Sequence, residues 1–396
     1  MKILIIGFGT TGKSLKNYFD KRGEEVSIYD KKNYSEKNFY DYQKLLNELP
    51  LFDLGIKSPG LAIDNEEFLL INSLCKNIES EIDFAYKQIR TKNIIGITGS
   101  NGKTSLATFF NHFLSLKYKT FLAGNIGKPL IDYIEEANEE DYIILELSSY
   151  QIRDSKNLKL KELFITSISP NHLDVYKSKL HYYADKKRAT FFTNNVYLLN
   201  DTLDKKYFNY SSYPLIKDFR KDIAIYISGK YSILYANICM NYCLNHNILE
   251  EKLRKRLISL KPVEYRMNKV FENSKLIFIN DSKSTTAEAS LYCFETFNNY
   301  NRILILGGNH KSSSFDKIKL NKQDILLIYG KDKEKINKEI HGIKFSNLEE
   351  IFLFLKEINK KYYVLFSPGC DSHDQYSSYK ERGQHFDKLI EKYFNR

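Results

Sequence analysis

Residues 96–105 are Gly96-Ile97-Thr98-Gly99-Ser100-Asn101-Gly102-Lys103-Thr104-Ser105, a loop that follows an apolar run at 93–97 and precedes a helical pattern at 106–114. Glycines let successive backbone N–H groups face a polyphosphate, Lys103 adds a positive charge, and Thr104 can reach Mg²⁺. The strict phosphate-loop spacing requires glycine at position 97, where isoleucine stands, so the general pattern is missed at one residue. A glycine turn that only joins strand to helix is the alternative. The strand–loop–helix context favours phosphate binding by residues 99–105.

Short apolar runs bounded by glycine alternate with amphipathic stretches on both sides of this loop, which is typical of parallel sheets with crossover helices. The chain is therefore predicted to be an α/β protein with three domains. A Rossmann-like domain at 1–91 precedes a central P-loop ATPase-like parallel sheet at 92–261 and a Rossmann-like domain at 262–396. The predicted strands are Lys2–Ile6, Glu25–Tyr29, Phe52–Ile56, Asn93–Ile97, Thr120–Leu122, Tyr142–Leu145, Leu163–Ser167, Val196–Leu199, Leu276–Asn280, Arg302–Leu306, Asp324–Tyr329 and Tyr362–Phe366.

The composition is that of an ordinary globular protein. Of 396 residues, 42% are hydrophobic and 28% are charged, and this length exceeds what one hydrophobic core usually organises. The net charge of +11 is scattered along the chain, so nucleic acid is not an expected partner, and the excess suits anionic phosphate substrates. Five cysteines without zinc-finger spacing predict buried free thiols in a reducing cytoplasm. Neither a signal peptide nor a membrane span is predicted.

Two further polar residues follow predicted strands of the central series. Glu146 ends the run at 141–146, where α/β sheets place their ligands, and a hard carboxylate there could hold Mg²⁺. A helix-capping or surface glutamate is the alternative. His172, in Asn171-His172-Leu173-Asp174, could ligate a metal or hold a phosphate oxygen, although a lone histidine is more often structural.

The first strand leads into a glycine pattern of its own. Gly7-Phe8-Gly9-Thr10-Thr11-Gly12 and the later Asp30 together match a dinucleotide fingerprint. Taken alone, this fingerprint predicts an NAD-dependent oxidoreductase. That alternative leaves Lys103 and everything after it without a role.

The variant Thr-Gly-x-x-Gly-Lys-Thr at 98–104 resembles the ATP loop of the Mur ligases and folylpolyglutamate synthetases. Further matches follow in the order that this superfamily requires, at 124–127, 146–151, 171–174, 183–191, 280–285, 306–311 and 367–383. The resemblance covers nearly the whole chain. It implies an ATP-dependent amide-bond ligase of peptidoglycan precursor synthesis, cytoplasmic and monomeric, without a nucleic-acid or membrane partner.

Within the Mur ligases, the segment Ser367–Gly383 most resembles that of members that add D-glutamate to UDP-N-acetylmuramoyl-L-alanine through an acyl phosphate. Another acidic amino acid such as L-glutamate, another muramoyl-type acceptor, or a non-catalytic nucleotide-binding subunit with this fold are the alternatives. Two departures concern the amino-acid pocket, because His373 stands where the family usually has an apolar residue and Tyr379 where phenylalanine is common.

The resemblance implies that Lys103, Glu146, His172 and Lys187 are catalytic. Thr104, Glu146, His172 and Lys187 would bind two Mg²⁺ ions, with Lys187 carbamylated by CO₂ so that a cation becomes a carboxylate-like ligand. Lys186 is adjacent, so the register is open by one residue. The family has this lysine in a Tyr-x-x-x-Lys pattern, and the aromatic residues Tyr183 and Phe191 match that pattern when the lysine is Lys187.

The remaining implied contacts fall into two groups. ATP would contact Asn237, Arg266 and Asp281 beside the loop, although Tyr265 and Asn268 replace a family His and Glu near Arg266, and Asn237 is equally compatible with an ordinary helix residue. The other substrates would contact Gly7, Gly9, Thr10, Thr11, Gly12 and Asp30 through the uridine diphosphate, and Asn125, Ser148, Gln151, Lys283, Thr285, Lys311, Ser372 and Tyr379 nearer the reacting groups.

Overall fold

The computed structural model describes residues 1–59, 66–168, 176, 178–199, 210–310 and 314–394. These residues form three mainly parallel sheets with connecting helices, so the predicted α/β class is confirmed. By their contacts they group into two compact units, of which one holds the first two sheets and the other holds the third. Each sheet lies within one of the three predicted domain ranges, and the domain boundaries themselves stay a prediction.

The first sheet is a five-stranded parallel sheet. Its strands are β1 (Ile3–Ile6), β2 (Val26–Tyr29), β3 (Phe39–Tyr40), β4 (Phe52–Lys57) and β5 (Cys75–Ser80), and its helices are α1 (Thr10–Asp20), α2 (Tyr42–Glu48), α3 (Glu66–Leu74) and α4 (Glu81–Gln88). The strand order is β3-β2-β1-β4-β5. All four residues of β1 are buried, as expected for a central parallel strand covered on both faces.

The second sheet is also parallel and five-stranded. Its strands are β6 (Ile94–Thr98), β7 (Thr120–Gly124), β8 (Tyr142–Glu146), β9 (Glu162–Ile165) and β10 (Val196–Leu198), and helices α5 (Lys103–Leu114), α6 (Ser149–Asp154) and α7 (Lys179–Arg188) accompany it. The order β10-β9-β6-β8-β7 puts β6 in the middle. Helices α8 (Arg220–Ile223), α9 (Lys230–Asn245) and α10 (Glu250–Leu257) follow along the chain.

The third sheet has six strands. They are β11 (Asn268–Glu272), β12 (Leu276–Asn280), β13 (Arg302–Gly307), β14 (Ile325–Tyr329), β15 (Ile343–Lys344) and β16 (Tyr362–Gly369), with helices α11 (Ala287–Thr296), α12 (Lys333–Glu339), α13 (Leu348–Lys356) and α14 (Tyr379–Phe394). The order is β11-β12-β16-β13-β14-β15, and β11 runs antiparallel to β12 while the other pairs are parallel.

The helices of the third sheet change side between neighbouring strands. Phe294 of α11 and Ile336 of α12 join one apolar cluster, whereas Phe352 of α13 and Phe386 of α14 join the cluster on the opposite face. The chain therefore leaves β12 toward one face and the adjacent β16 toward the other. Such a change of side opens a crevice at the carboxyl ends of the strands, where α/β sheets bind ligands. We call it the third-sheet crevice; the loops after β12, β13 and β16 border it.

The five cysteines are all buried and unbridged, which confirms the prediction of free thiols. In the described part of the chain, no helix combines the length and apolar character needed to cross a lipid bilayer.

One hydrophobic core joins the first two sheets, and a buried carboxylate lies in it. Glu81, the first residue of α4, is 3% exposed, and its Oε1 accepts from the Ile131 N–H at 2.7 Å. Burial raises the pKa of Glu81 to about 7, and the Asp132 carboxylate acts in the same direction, while the Ile131 and Leu130 N–H groups oppose them.

We expect Glu81→Gln to change the pH dependence of stability. Because the folded pKa lies above the ordinary glutamate value of 4.5, the folded state holds this proton more tightly than the unfolded state. The wild type should therefore lose stability relative to the variant between about pH 4.5 and 7, by on the order of 3 kcal/mol in all, with no further loss above. Urea unfolding followed by circular dichroism at several pH values measures this. Parallel curves for wild type and variant would contradict it, and exposed Glu139→Gln is the control.

Candidate active site

The loop between β6 and α5 has a shape that favours glycine at two positions. Gly99 has a φ of 145°, and a Cβ on it would lie 2.1 Å from a side-chain oxygen of the segment after β9, while Gly102 has a φ of 86°. The Ser100 N–H donates to the Ser167 carbonyl at 2.7 Å, and the Asn101 N–H donates to Ser167 Oγ at 3.0 Å. The loop is therefore fixed against the segment that follows β9.

Helix α5 begins at Lys103, directly after this loop, and its first turn includes the buried Thr104 and Ser105. The Lys103 Nζ donates to the carbonyl oxygens of Gly99 at 2.8 Å and Ser100 at 3.1 Å. A helix N-terminus presents backbone N–H groups and the positive end of the helix dipole. Together with the lysine charge, this arrangement favours an anion such as a phosphate.

Glu146 is the last residue of β8 and lies beside the loop, because the parallel register pairs it with Ile97. It is 1% exposed. Its Oε1 accepts from Asn125 Nδ2 at 2.9 Å, and the Asn125 N–H donates to the Glu146 carbonyl at 2.9 Å. Its Oε2 is buried and has no hydrogen-bond partner among the described residues.

This carboxylate fits a magnesium ion. A buried carboxylate oxygen is costly unless a partner compensates for lost water. Mg²⁺ takes hard oxygen ligands and is commonly held by one or two carboxylates together with substrate phosphates. Over the described ranges no three His, Cys, Asp or Glu side chains gather as metal ligands. Glu146 therefore suits an ion shared with a nucleotide more than a site made by protein ligands alone.

Helix α7 brings Lys186, and not Lys187, to the phosphate loop. Lys186 is 2% exposed, and its Nζ donates to Thr98 Oγ1 at 2.9 Å and to the Gly99 carbonyl at 3.2 Å. Lys187 lies on the exposed side of the helix. The placement of Lys187 in the site is therefore corrected to Lys186.

The aromatic residues that favoured Lys187, Tyr183 and Phe191, do not lie together on a buried face of α7. Phe191 is 73% exposed and lies in a 3₁₀ turn, after α7 has ended at Arg188. Tyr182, Lys186 and Ala189 are all buried, and their spacings of four and three residues are those of one helix face. This spacing is the signal that could have identified Lys186 from the sequence.

The amine of Lys186 is in an unusual electrostatic position. Burial lowers its pKa well below the usual lysine value, and the Lys103 ammonium lowers it further, while the Glu146 and Asp185 carboxylates act in the opposite direction. Lys186 can therefore hold a neutral amine where an exposed lysine would stay charged. A neutral amine is a nucleophile, which an ammonium is not.

Ser148 and Gln151 form a capping box at the start of α6. The Gln151 N–H donates to Ser148 Oγ at 3.2 Å, and the Ser148 N–H donates to Gln151 Oε1 at 2.9 Å. These bonds fix the segment that follows Glu146. Contact of the two side chains with the muramoyl substrate stays a prediction.

The glycine fingerprint of the first sheet lies at the carboxyl end of β1. A Cβ on Gly12 would lie 2.1 Å from the Gly7 carbonyl oxygen, so α1 approaches the loop closely. Gly9 caps α1, and Thr10 and Thr11 are its first residues. This geometry suits a diphosphate at a helix N-terminus.

Asp30 follows β2 and holds this loop. Its Oδ2 accepts from the Phe8 N–H at 2.6 Å, and its Oδ1 accepts from the Lys32 N–H at 2.8 Å. The sequence predicted a contact with uridine or diphosphate and gave no sign of these bonds. The carboxylate therefore has a structural part in shaping the loop, and its ligand contact stays a prediction.

Two residues of the second unit that were predicted to contact ATP, Asp281 and Asn237, make hydrogen bonds within the protein. Asp281 is 2% exposed and accepts from two serine hydroxyls, at 2.5 and 2.7 Å. Burial raises the pKa of Asp281, and Arg266 opposes this effect. Asn237 is fully buried, and its Oδ1 accepts from the Phe219 N–H at 2.8 Å. The nucleotide roles of Asn237, Arg266 and Asp281 stay predictions.

Arg382, which the sequence did not single out for a role, joins the loops of the third-sheet crevice. It is fully buried and donates to Ser282 Oγ at 3.1 Å, the Ser282 carbonyl at 2.7 Å and the Cys370 carbonyl at 2.9 Å. Lys283 follows Ser282, and its Nζ lies 5.4 Å from the centre of the Tyr379 ring. Two predicted substrate residues thus lie close together.

Of the other predicted substrate residues, Ser372 is 2% exposed and Thr285 is exposed. His172 and Lys311 lie outside the described residues.

Three comparisons bear on what this chain is. The family model for the Mur ligase middle domain matches residues 97–237. A UDP-N-acetylmuramoylalanine–D-glutamate ligase from Francisella tularensis subsp. tularensis is 30% identical over 413 residues, covering 98% of this chain and 95% of the relative. One of the same name from Caldicellulosiruptor bescii is 28% identical over 450 residues, covering 98% and 97%.

Solved structures agree with this relationship at the level of the fold. MurC from Thermotoga maritima has a TM-score of 0.60 at 16% identity, covering 99% of each chain. MurF from the same organism, in complex with ADP, has a TM-score of 0.64 at 14% identity, covering 98% of this chain and 95% of that one. Since the sequence relatives extend over nearly its full length and the loop at 99–105 lies inside the matched middle domain, the chain belongs to the Mur ligase family.

Proposed function

We propose that this protein is an ATP-dependent ligase that joins D-glutamate to UDP-N-acetylmuramoyl-L-alanine, a step of peptidoglycan precursor synthesis. The observation that carries the proposal is the meeting of the phosphate loop, the Glu146 carboxylate and the Lys186 amine at one edge of the second sheet. The names of the relatives that span the chain support the choice of acceptor and amino acid.

Joining a carboxylate to an amine in water is unfavourable, so the carboxylate must first become a better acyl donor. An oxygen of the alanyl carboxylate attacks the γ-phosphorus of ATP, the bond to the β–γ bridging oxygen breaks, and ADP leaves. The deprotonated amine of D-glutamate then attacks the carbonyl carbon of the acyl phosphate. The tetrahedral intermediate loses a proton from its nitrogen and expels inorganic phosphate, leaving the amide.

The chain's own groups neutralise the charge that moves in the first step. The backbone N–H groups at the start of α5 and the Lys103 ammonium would contact the phosphates of ATP, which is the main form of help that phosphoryl transfer needs. Glu146 and Thr104 would hold Mg²⁺, with His172 as a further predicted ligand, and the ion when bound neutralises phosphate charge. A second ion is part of the same proposal.

The carbamate prediction moves to Lys186. A neutral Nζ attacks the carbon of CO₂, an N–C bond forms as one C–O π bond opens, and a proton leaves the nitrogen, so that a neutral amine becomes a group with one negative charge. Burial, which lowers the pKa of this lysine, supplies the neutral amine that the reaction requires. The carbamate would offer two oxygen ligands to a magnesium ion.

The first sheet would hold the uridine diphosphate part of the acceptor at Gly7–Gly12. The alternative ligand for the first sheet is NAD, as in an NAD-dependent oxidoreductase. The alternative amino-acid substrate is L-glutamate or another acidic amino acid. Action in the cytoplasm and as a monomer are further parts of the proposal, on the ground of the family resemblance.

We expect Lys103→Ala to lower the rate of ligation by roughly 10²–10³-fold or more, because a charge aimed at the transferred phosphoryl group is lost. ADP release with UDP-N-acetylmuramoyl-L-alanine and D-glutamate measures it, and circular dichroism checks the fold. Lys117→Ala removes an exposed lysine just after α5 and should retain activity. Near-normal turnover in a folded Lys103→Ala protein would refute the assignment.

We expect Lys186→Ala to be nearly inactive and Lys187→Ala to stay close to wild type, because only the first amine reaches the loop. Added acetate should partly restore Lys186→Ala by occupying the emptied site. With ¹³C-bicarbonate, a carbamate carbon signal should appear in wild type and Lys187→Ala and be absent from Lys186→Ala. If Lys187→Ala were inactive and Lys186→Ala active, the carbamate would belong to Lys187, as the sequence predicted. Full activity of both variants would refute the carbamate proposal.

We expect Asp30→Ala to weaken binding of UDP-N-acetylmuramoyl-L-alanine, because the loop at 7–12 loses the acceptor of the Phe8 N–H. Calorimetry measures this affinity, and the exposed Asp20→Ala serves as the control. Tight binding of NAD without binding of the UDP-sugar would reverse the assignment of the first sheet.

A further inference from the structure

The loop after β16 carries an imidazole–carboxylate pair on the rim of the third-sheet crevice. The pair is Asp371 and His373, which flank the buried Ser372. Asp371 is anchored at its backbone, because its N–H donates to the Asn309 carbonyl at 3.0 Å and its carbonyl accepts from the Asn309 N–H at 2.9 Å. The loops after β13 and β16 are therefore held together at the position of this pair.

The carboxylate fixes the imidazole. Asp371 Oδ1 accepts from the His373 N–H at 2.8 Å and lies 2.5 Å from His373 Nδ1. An ionised carboxylate only accepts, so Nδ1 carries the proton and Nε2 is the atom left for a ligand. The side chain of His373 is 66% exposed and that of Asp371 is 18% exposed. The ring is thus oriented by a partly buried group while remaining accessible.

A buried arginine links the loop of this pair to a loop that carries a lysine. Arg382 bonds to the carbonyl of Cys370, next to Asp371, and to Ser282, next to Lys283. Through this arginine, the loop with His373 adjoins the loop with the Lys283 ammonium. Carboxylates lie there too, each with a donor of its own: Asp371 holds His373, Asp374 accepts from a backbone N–H at 3.2 Å, and Asp281 accepts from serine hydroxyls.

We propose that the imidazole of His373, held by Asp371, binds a carboxylate of the incoming acidic amino acid. With both nitrogens protonated, Nδ1–H donates to Asp371 and Nε2–H donates to the carboxylate, a charge-assisted hydrogen bond. The inference rests on the proposed ligase function and gives a specificity-determining role to a residue at which the chain departs from its family, where an apolar side chain could not donate.

A purely local role for the pair is the competing interpretation. An aspartate that accepts from the N–H two residues later forms an Asx turn, which needs no ligand. That role requires the Asp371 carboxylate and the His373 backbone N–H, and it does not require the exposed imidazole ring. Replacing the ring while keeping the turn separates the two interpretations.

The test uses the full-length protein with saturating ATP and UDP-N-acetylmuramoyl-L-alanine while D-glutamate is varied. We expect His373→Leu to raise the KM for D-glutamate about tenfold, the worth of one hydrogen bond to a charged group, with kcat nearly unchanged. His373→Lys, which restores a cation, should recover part of the loss. His341→Leu removes an exposed histidine elsewhere in the same unit and should change nothing.

Asp371→Asn tests the pairing, because the amide oxygen keeps the acceptor for the turn. We expect a smaller rise in the KM for D-glutamate than in His373→Leu, and no further rise when the two changes are combined, as for groups that act together. Additive effects of the two changes, with a lowered melting temperature, would support the local turn instead.

Two analogues identify the carboxylate. If His373→Leu affects D-glutamate but not D-glutamine, the bound group is the side-chain carboxylate; if it spares D-isoglutamine, the group is the α-carboxylate. An unchanged KM for D-glutamate, or a lowered kcat at constant KM, would overturn the inference while leaving the ligase function in place. A wild-type protein that forms no product with any amino acid would remove the proposed function and this inference together.

Discussion

The parallel pairing of β6 with β8 and β9 is the constraint on which the rest of the site depends. Its register sets Ile97 opposite Glu146 and Thr98 opposite Ile165. Because parallel strands end at the same edge, the phosphate loop, the Glu146 carboxylate and the segment after β9 meet without any single stretch of sequence containing them all. A shift of one residue in this register would turn the Glu146 side chain to the opposite face of the sheet.

That edge brings ionisable groups together where two of them are almost fully buried. Two lysines and one glutamate come together, and the fold keeps Lys186 and Glu146 almost fully buried. Buried charges that are not fully compensated are costly, and their interactions are stronger than at the surface. Such an arrangement is unfavourable for stability by itself and favourable for a ligand that brings several negative charges and a metal ion. The same groups that are costly by themselves are those that a nucleotide would compensate.

The third sheet also gathers residues at the carboxyl ends of parallel strands, here around a crevice. Its crevice arises because neighbouring strands β12 and β16 send their chains to opposite faces, and the buried Arg382 holds the bordering loops by bonds to backbone carbonyls. A guanidinium with several donors in a fixed plane suits this task better than a lysine would. With the frame fixed from inside, residues on the rim such as His373 can vary without disturbing it. If the crevice binds the amino acid as proposed, its specificity can therefore change more easily than the fold.

The sequence by itself determined what depends on neighbours along the chain. The apolar runs placed the central strands, and the glycines at 99 and 102 identified a loop whose backbone has φ values that other residues adopt with difficulty. Glu146 was predicted at the edge because a residue that ends a parallel strand must lie there. The capping box of Ser148 and Gln151 was not predicted, although it too is local, because those residues were interpreted through the family resemblance alone.

Only the tertiary structure decided which side chains face the site. Lys186 and Lys187 are chemically identical, and the choice between them depends on which face of α7 packs against β6, whose Thr98 is 88 residues away. Tertiary packing likewise decided that Asp30 accepts a hydrogen bond from the Phe8 N–H and that Asp281 accepts hydrogen bonds from two serine hydroxyls. A helix turns about 100° per residue, so a shift of one position moves a side chain from the core toward water. The energy that settles such a choice comes from packing between segments that the sequence does not bring together.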